Sequence, residues 1–386
     1  MAESSGSSPL ISSGPPTSGS AMTRRRLLRV TATGVVGLYV AGCGSAASES
    51  GGDGGSGGTT TLTWLTWDDH YLSNQLSNVA KTQGIKVQPQ LFADNSDAYL
   101  KIKQTNGQFD MVSGDALWVP KYRKDGLTKS FDINGIDAAS QLYSIAREFP
   151  FWRDGSDYDA YPVGWSTQQL YYNPKYVTTA PDSWHALAEP KYKDHIVMLN
   201  SPSDMMAIGG LATGARHPYD MTAAEIGSAK HYLASIKPNV LKLASQSGET
   251  VNALVDGSAW IALNNLGTDV LVKHAGGPTV KPAAPKEGTI GFIDGEQIVA
   301  ASSKAEQVLQ FLGAAEVASY IAQNFLKNGR PLFNERAYKI LVDQGHKDRA
   351  DLYHYNDPEK ALQMTLKGPS GNAQAYTDAF NEVFGA

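Results

Sequence analysis

Thr60-Thr61-Leu62-Thr63-Trp64-Leu65-Thr66-Trp67 is a run of β-branched and aromatic residues, and it predicts a strand. The polar stretch Asp68-Asp69-His70-Tyr71 follows it, and apolar residues then recur at helical spacing until Gly84. The alternation continues with a strand at 85–89, a helix at 98–104 and a strand at 109–112. A βαβαβ order of this kind predicts a parallel sheet flanked by helices, and therefore the α/β fold class.

Polar residues follow the first and the third of these strands. Trp67 and Asp68 come where the first strand ends, and Asp115 lies in the predicted loop 113–118 after the third. Because ligands bind beyond the carboxyl ends of parallel strands, these residues are the first candidates for a site. Each also has a structural interpretation, since Trp67 could pack in the core and either aspartate could cap the helix that follows it.

The second half of the chain repeats the alternation of strands and helices. Strands are predicted at 170–173, 195–200, 260–265 and 287–294, and helices at 223–236, 248–254 and 305–322. Another helix is expected to begin at Ser201-Pro202-Ser203-Asp204, because proline and aspartate are favourable in a first turn. A second α/β unit, after which the chain returns, predicts two lobes that face a cleft.

The N-terminal region predicts export and a lipid anchor. Thr23-Arg24-Arg25-Arg26-Leu27-Leu28-Arg29 resembles a twin-arginine signal, and Val40-Ala41-Gly42-Cys43 resembles a lipoprotein box. A membrane span needs roughly 20 apolar residues, whereas the run here has about 12. We therefore expect residues 1–43 to be an extension and signal peptide, with Met22 as a possible true start. Cys43 would carry the lipid at the outer face of the cytoplasmic membrane, and 44–60 would be a flexible Gly/Ser linker.

Composition excludes several classes of function. The chain has a formal net charge of −5, which disfavours a nucleic-acid partner, and a single cysteine, which excludes a disulfide framework. The eight histidines show no metal-ligand spacing, and neither a catalytic triad nor a phosphate loop is present. We expect no catalytic residues, no metal and no cofactor. An exported hydrolase or a structural envelope lipoprotein is the alternative class.

From Leu62 to about Ile340 the chain resembles the extracellular solute-binding proteins of ABC transporters, in the spermidine/putrescine-binding branch. The stretches that carry the resemblance are Trp64-Leu65-Thr66-Trp67, Phe109-Asp110-Met111-Val112, 121–126, 161–165, 190–193, Pro285-Lys286-Glu287-Gly288 with Asp294, and Gly329-Arg330-Pro331 with Asn334. The resemblance implies a monomer with the two-lobe, type II periplasmic-binding-protein fold, a mixed sheet in each lobe, and delivery of a solute to a membrane permease. Lobe 1 is expected at 61–165 with 295–335, and lobe 2 at 166–294 with 336–386. Hinges are expected near 163–166 and 293–295.

The resemblance also implies a site for an amine. Trp67, Phe292, Asp294 and Asp204 match ligand-binding positions of the branch, Asp204 being one methylene shorter than the usual acid. Ser201, Leu117 and Asn265 depart from the pattern, and Asp68 and Asp115 could compensate as additional acids. We expect a polyamine or a related cationic or zwitterionic amine, held by Asp294 between Trp67 and Phe292. Other solutes remain alternatives, namely ferric ion, a sugar or an amino acid. Arg330 replaces a tyrosine of the branch, and it is expected either to pair with an acid or to bind a ligand carboxylate.

Overall fold

The computed structural model describes residues 59–385, except for residues 93, 106 and 154 and the side chains of 361 and 362. The signal, Cys43 and nearly all of the predicted linker lie outside the described residues. The strands are β1 (Thr60–Thr66), β2 (Ile85–Leu91), β3 (Met111–Asp115), β4 (Thr128–Lys129), β5 (Tyr161–Tyr172), β6 (Ile196–Leu199), β7 (Val240–Ala244), β8 (Ile261–Asn265), β9 (Lys281–Ala283), β10 (Ile290–Val299) and β11 (Thr365–Leu366).

The helices alternate with these strands, as the sequence predicted. They are α1 (Ser73–Gln83), α2 (Asn95–Thr105), α3 (Val119–Lys124), α4 (Ser144–Glu148), α5 (Pro202–Ala212), α6 (Ala223–Ile236), α7 (Ser247–Val255), α8 (Thr268–His274), α9 (Ala305–Ala315), α10 (Ala318–Asn328), α11 (Glu335–Asp343), α12 (Lys347–Leu352) and α13 (Ala373–Phe384). Short 3₁₀ turns connect several of them. Within the described residues, none of the helices is both long and apolar enough to cross a bilayer. The α/β class is confirmed.

The predicted βαβαβ unit forms one end of the sheet. β1 pairs in parallel with β2 on one side and with β3 on the other. The stretch Ser113-Gly114-Asp115 was expected to be loop, because serine, glycine and aspartate favour turns. It is instead the end of β3, since all three residues pair with β10. Asp115 therefore occupies a fixed position in the sheet.

The strands of the described residues form one connected sheet with the order β2-β1-β3-β10-β5-β8-β6-β7 along its main path. The sheets of the two lobes are continuous because β5 and β10 are long and run through both. β5 and β10 pair antiparallel, with Ile293 opposite Trp165 and Asp294 opposite Gly164, and their register shifts after Asp294. The two predicted hinge segments thus lie side by side at a β-bulge.

Two large hydrophobic cores lie on either side of this crossing. The first contains Trp64, Trp152, Trp165 and Phe311, and the second contains Trp184, Met205 and Leu233. β5 contributes Val163 to the first core and Leu170 to the second. This division supports a two-lobe organisation of the type II periplasmic-binding-protein fold.

The C-terminal segment does not lie wholly with the second lobe, where 336–386 was expected. Leu341, Tyr353 and Met364 pack in the first core, whereas α13 packs in the second. The chain between Met364 and α13 therefore passes from one lobe to the other. Its short strand β11 pairs in parallel with β10 at Ile290 and Gly291.

The helix predicted at 305–322 is two helices, α9 and α10. Val317 between them has an extended backbone. The Glu316 carbonyl accepts a hydrogen bond from the Asn334 side chain at 3.3 Å, and the Ala318 N–H donates to Gln141 at 3.2 Å. These distant partners satisfy backbone groups at the break, which the continuous apolar spacing of the sequence could not reveal.

Candidate functional site

One face of the central strands carries the polar residues of the candidate site. On β10, Asp294 lies opposite Asp115 of β3, and Glu296 lies opposite Ser113. Residues opposite each other in paired strands share a face, as do residues two apart in one strand. Phe292, two positions before Asp294, therefore belongs to the same face. The sheet register thus brings two predicted acids and the predicted aromatic residue together.

Arg330 reaches this face because α10 ends abruptly in front of it. Gly329 ends the helix with φ +74°, a left-handed conformation that glycine adopts without strain. Gly329 packs against Gly267. A Cβ added to Gly267 would lie 1.9 Å from the Asn328 carbonyl oxygen. This backbone contact between α10 and the start of α8 fixes the direction in which Arg330 leaves the helix.

The Arg330 guanidinium pairs with two carboxylates. Its Nη2 donates to both oxygens of Asp294, and its Nη1 lies 3.1 Å from Asp69 Oδ2. Asp294 is fully buried, and the Arg330 side chain is 3% exposed. Burial tends to lower the arginine pKa, but Asp294 and Asp69 raise it overall. Arg330 thus pairs with an acid, which is one of the two alternatives expected for it.

His70 connects Asp294 to a second buried acid. Its Nε2 lies 3.2 Å from Asp294 Oδ2, and its Nδ1 lies 2.7 Å from Glu296 Oε1. Trp64 Nε1 donates to Glu296 Oε2 at 2.9 Å, and Ser113 Oγ donates to the same carboxylate. Each oxygen of Glu296 therefore has a donor, as a buried carboxylate requires.

Protonation of His70 is favoured by this arrangement. Burial and the neighbouring Arg330 lower its pKa, but Asp294 and Glu296 outweigh them and raise it from 6.5 to about 10. Burial tends to raise the pKa of Asp69, but Arg330 and His70 lower it overall. We name Asp69, His70, Asp294, Glu296 and Arg330 the buried charge network. In it, three carboxylates alternate with two cations.

Asp115 lies beside this network without a cation of its own. Its side chain is buried, and it forms no ion pair with any described residue. Its backbone N–H donates to Asn95 Oδ1 at 3.0 Å. Burial raises the pKa of Asp115 to about 7; Lys367 opposes this increase, whereas Asp294 and Asp204 add to it. At neutral pH this carboxyl group is therefore poised between its two protonation states.

Asp204, in the first turn of α5, has two partners. Lys367 Nζ lies 2.5 Å from its Oδ2, and the Tyr219 hydroxyl donates to its Oδ1 at 2.8 Å. The Lys367 ammonium lies 6.0 Å from the centre of the Phe292 ring, and the Arg330 guanidinium lies 5.7 Å from the same ring centre. Two cations of the chain thus lie near the aromatic ring that was predicted to contact a ligand amine.

Trp67 and Asp68 lie at the edge of the site. The Trp67 ring packs on Phe92 at 4.4 Å and on His70 at 5.1 Å between centroids. Asp68 is exposed, and burial of part of its surface together with Asp69 raises its pKa. Trp67 therefore contacts the buried charge network through His70, whereas Asp68 faces solvent.

The structure brings together Asp115, Asp204, Phe292, Asp294 and Arg330, and it places Trp67 beside His70. Asn265, at the end of β8, lies opposite Gln168, and each has a buried side-chain oxygen without a partner among the described residues. Sequence reasoning missed His70, Glu296 and Lys367. For His70 a signal existed, because it lies in the polar stretch directly after β1.

Comparisons with known proteins agree with this architecture. Residues 108–347 match the bacterial extracellular solute-binding protein family. The chain is 25% identical over 318 residues to the spermidine/putrescine-binding periplasmic protein of Salmonella typhimurium, covering 79% of this chain and 86% of that protein. It is 26% identical over 287 residues to the protein of the same name from Escherichia coli K12, covering 71% and 78%.

Solved structures show the same fold. A putative spermidine/putrescine ABC transporter protein from Listeria monocytogenes superposes with a TM-score of 0.74 at 21% identity, covering 84% of this chain and 98% of that chain. The Tp0655 lipoprotein of Treponema pallidum superposes with a TM-score of 0.70 at 15% identity, covering 84% and 99%. Since the family match spans more than half of the sequence, this chain belongs to the bacterial extracellular solute-binding proteins.

Proposed function

We propose that this protein captures a small amine-bearing solute at the junction of its two lobes and delivers it to an ABC permease. The relatives named above for spermidine and putrescine support an amine as the solute. So does the chemistry of the junction, where acids and aromatic side chains share one face of the sheet. The protein binds and releases its solute without changing it.

The observation that carries this proposal is the position of Asp115. It is a buried carboxylate next to Asp294 and Asp204, and it pairs with no cation of the described chain. A buried carboxylate without a cation is costly, whereas an ammonium within hydrogen-bond distance favours its ionised form. A solute ammonium at Asp115 would supply the charge that the chain does not supply there.

The other acids have different roles in this proposal. Asp294 is fully buried and already bonded to Arg330 and His70. It positions the strands around the site and does not itself contact the solute. Trp67 and Phe292 border the site, and their ring faces limit the shape of the solute. Asn265 contributes a polar rim on the second lobe.

The two lobes are proposed to close on the solute. The bulge between Asp294 and Gly295 and the paired stretch 163–166 lie where the lobes meet, and few residues are needed to absorb a rotation. Lobe 1 then comprises 61–165 with 295 to about 364, and lobe 2 comprises 166–294 with α13. Cys43 is proposed to carry the lipid that keeps the protein near its permease.

Calorimetry with a panel of amines, on wild type and on Asp115→Asn, tests the proposal. The asparagine variant keeps the shape of the side chain but cannot carry a negative charge. We expect it to lose at least about 30-fold in affinity, which corresponds to about 2 kcal/mol for a buried charged hydrogen bond. Asp68→Asn is the matched control, because the same change at an exposed position should leave affinity within about twofold. If wild type and Asp115→Asn bind the amine equally, the solute does not bind at Asp115 and the proposed site is wrong.

A further inference from the structure

We propose that the site accepts a solute with a single ammonium group, because Lys367 and Arg330 already pair with Asp204 and Asp294. This inference rests on the proposed function and specifies its substrate class. It makes Lys367 and Arg330 the residues that determine specificity by charge. A solute with two or three ammonium groups would have to compete with cations of the protein itself.

Lys367 is placed by the segment that crosses between the lobes. Its backbone N–H donates to the Gly291 carbonyl at 2.8 Å, directly after β11. The next residue, Gly368, packs so closely on Leu117 that an added Cβ would lie 2.8 Å from Leu117 Cδ1. Contacts with both β10 and the first lobe therefore fix the backbone on either side of the lysine. The crossing segment also lies beyond residue 347, where the match to the family ends.

With Lys367 in this position, each carboxylate oxygen of Asp204 already has a partner. One oxygen pairs with the lysine ammonium and the other accepts from Tyr219. The lysine side chain is only 21% exposed, so little of it is in contact with water. A second ammonium at Asp204 would separate Lys367 from its partner, and an unpaired, largely buried charge is strongly unfavourable. A solute ammonium at Asp204 is therefore unfavourable.

Arg330 makes a solute ammonium unfavourable at Asp294 in the same way. Its guanidinium bonds both oxygens of that carboxylate, and His70 approaches one of them. Both cations of the chain lie near the ring of Phe292, with Arg330 at 5.7 Å and Lys367 at 6.0 Å from its centroid. A further cation against this ring would meet two like charges, which opposes a solute that carries several ammonium groups.

Two groups at the junction lack a partner, and a solute with one cation and one neutral polar group would satisfy them. Of Asp115, Asp204, Asp294 and Glu296, Asp115 is the one that lacks a cationic partner among the described residues. Arg330 Nε is also buried there without a hydrogen-bond partner in the described chain. A buried donor of this kind is costly unless an acceptor reaches it. A solute with one ammonium for Asp115 and a carbonyl or hydroxyl oxygen elsewhere would satisfy both groups.

Putrescine and N-acetylputrescine provide a direct test with the full-length protein. Both have the same four-carbon diamine chain, but acetylation replaces one ammonium with a neutral amide that has a carbonyl oxygen. We expect wild type to bind N-acetylputrescine at least about tenfold more tightly than putrescine in calorimetry. In Lys367→Gln, putrescine should gain at least about tenfold, because its second ammonium can then reach Asp204.

Two further variants separate charge from structure. Lys367→Arg keeps the positive charge and should keep the preference for N-acetylputrescine. Lys339→Gln removes a lysine that is 66% exposed on α11, and it should behave as wild type. The comparison of the two solutes on wild type alone already tests the inference if Lys367→Gln does not fold.

The outcomes distinguish this inference from the proposed function. If putrescine binds wild type as tightly as N-acetylputrescine, or if Lys367→Gln leaves the ratio unchanged, the inference is wrong while amine binding stands. If neither amine binds to folded wild type or to any variant, the proposed function fails and the inference fails with it. Preference for N-acetylputrescine that disappears in Lys367→Gln and persists in Lys367→Arg supports both.

Discussion

Replacing Arg330 with glutamine is expected to destabilise the protein strongly, even without any solute. The change removes the guanidinium that bonds both oxygens of Asp294 and pairs with Asp69. Asp69 is 31% exposed and can recover water, but Asp294 is fully buried and cannot. Asp294 would keep only His70, which it shares with Glu296.

The loss of stability in Arg330→Gln can be estimated from the burial of the ion pair between Arg330 and Asp294. Removing one partner of a buried ion pair costs about 3–5 kcal/mol, because it leaves a charge without compensation. The unfolding entropy is about 2.1 cal/mol/K per residue, which gives about 0.7 kcal/mol/K for the roughly 327 residues of the described body. The midpoint of thermal unfolding should therefore fall by about 4–7 °C.

Equilibrium denaturation in guanidinium chloride and thermal scans at pH 7 measure this effect. In the double variant Asp294→Asn/Arg330→Gln, the loss of stability should be smaller than the sum of the losses in the two single variants. We expect this difference, the coupling energy of the pair, to be at least about 2 kcal/mol. Arg216→Gln, at an exposed arginine of the second lobe, is the control and should change stability by no more than about 0.5 kcal/mol. A loss below about 1 kcal/mol in Arg330→Gln, or an absence of coupling, would refute the role of this ion pair.

Four further predictions concern pH, the anchor and closure. Because burial raises the pKa of Asp115 to about 7, amine affinity should fall about tenfold per pH unit below 7 in calorimetry, and Asp115→Asn should remove this dependence. The His70 pKa is raised from 6.5 to about 10, so its stabilising effect is complete below 6.5 and is lost as pH rises to 10. Denaturation of wild type between pH 7 and pH 10 should show that loss, and His70→Gln should lack it. Cys43→Ser should move the protein from the membrane fraction to the soluble fraction, and its persistence in the pellet would contradict the anchor. X-ray scattering should show compaction with a saturating amine, whereas an unchanged radius would argue against hinge closure.

Local sequence determined much of the fold because many signals act over short distances. α6 forms at the predicted residues 223–236, where Thr222 and Glu225 cap its start and Pro238 follows its end. The apolar spacing after β1 predicted α1, and Gly84 ends it with φ +64°. Ordered strand and helix signals were enough to assign the α/β class and the parallel pairing of β1 with its two neighbours.

Tertiary structure alone decided which charges meet at the site. His70 and Glu296 are 226 positions apart in the chain, and they come into contact because β3 pairs with both β1, which precedes His70, and β10, which contains Glu296. The sequence shows Arg330, Lys367 and the aspartates only as separate charges, since spacing along the chain contains no information about partners in distant elements. The pairing of Lys367 with Asp204 depends on a C-terminal segment that crosses from one core to the other. The sequence therefore pointed to the acids of the proposed site, and only packing decided that Asp204 and Asp294 pair with cations of the chain while Asp115 does not.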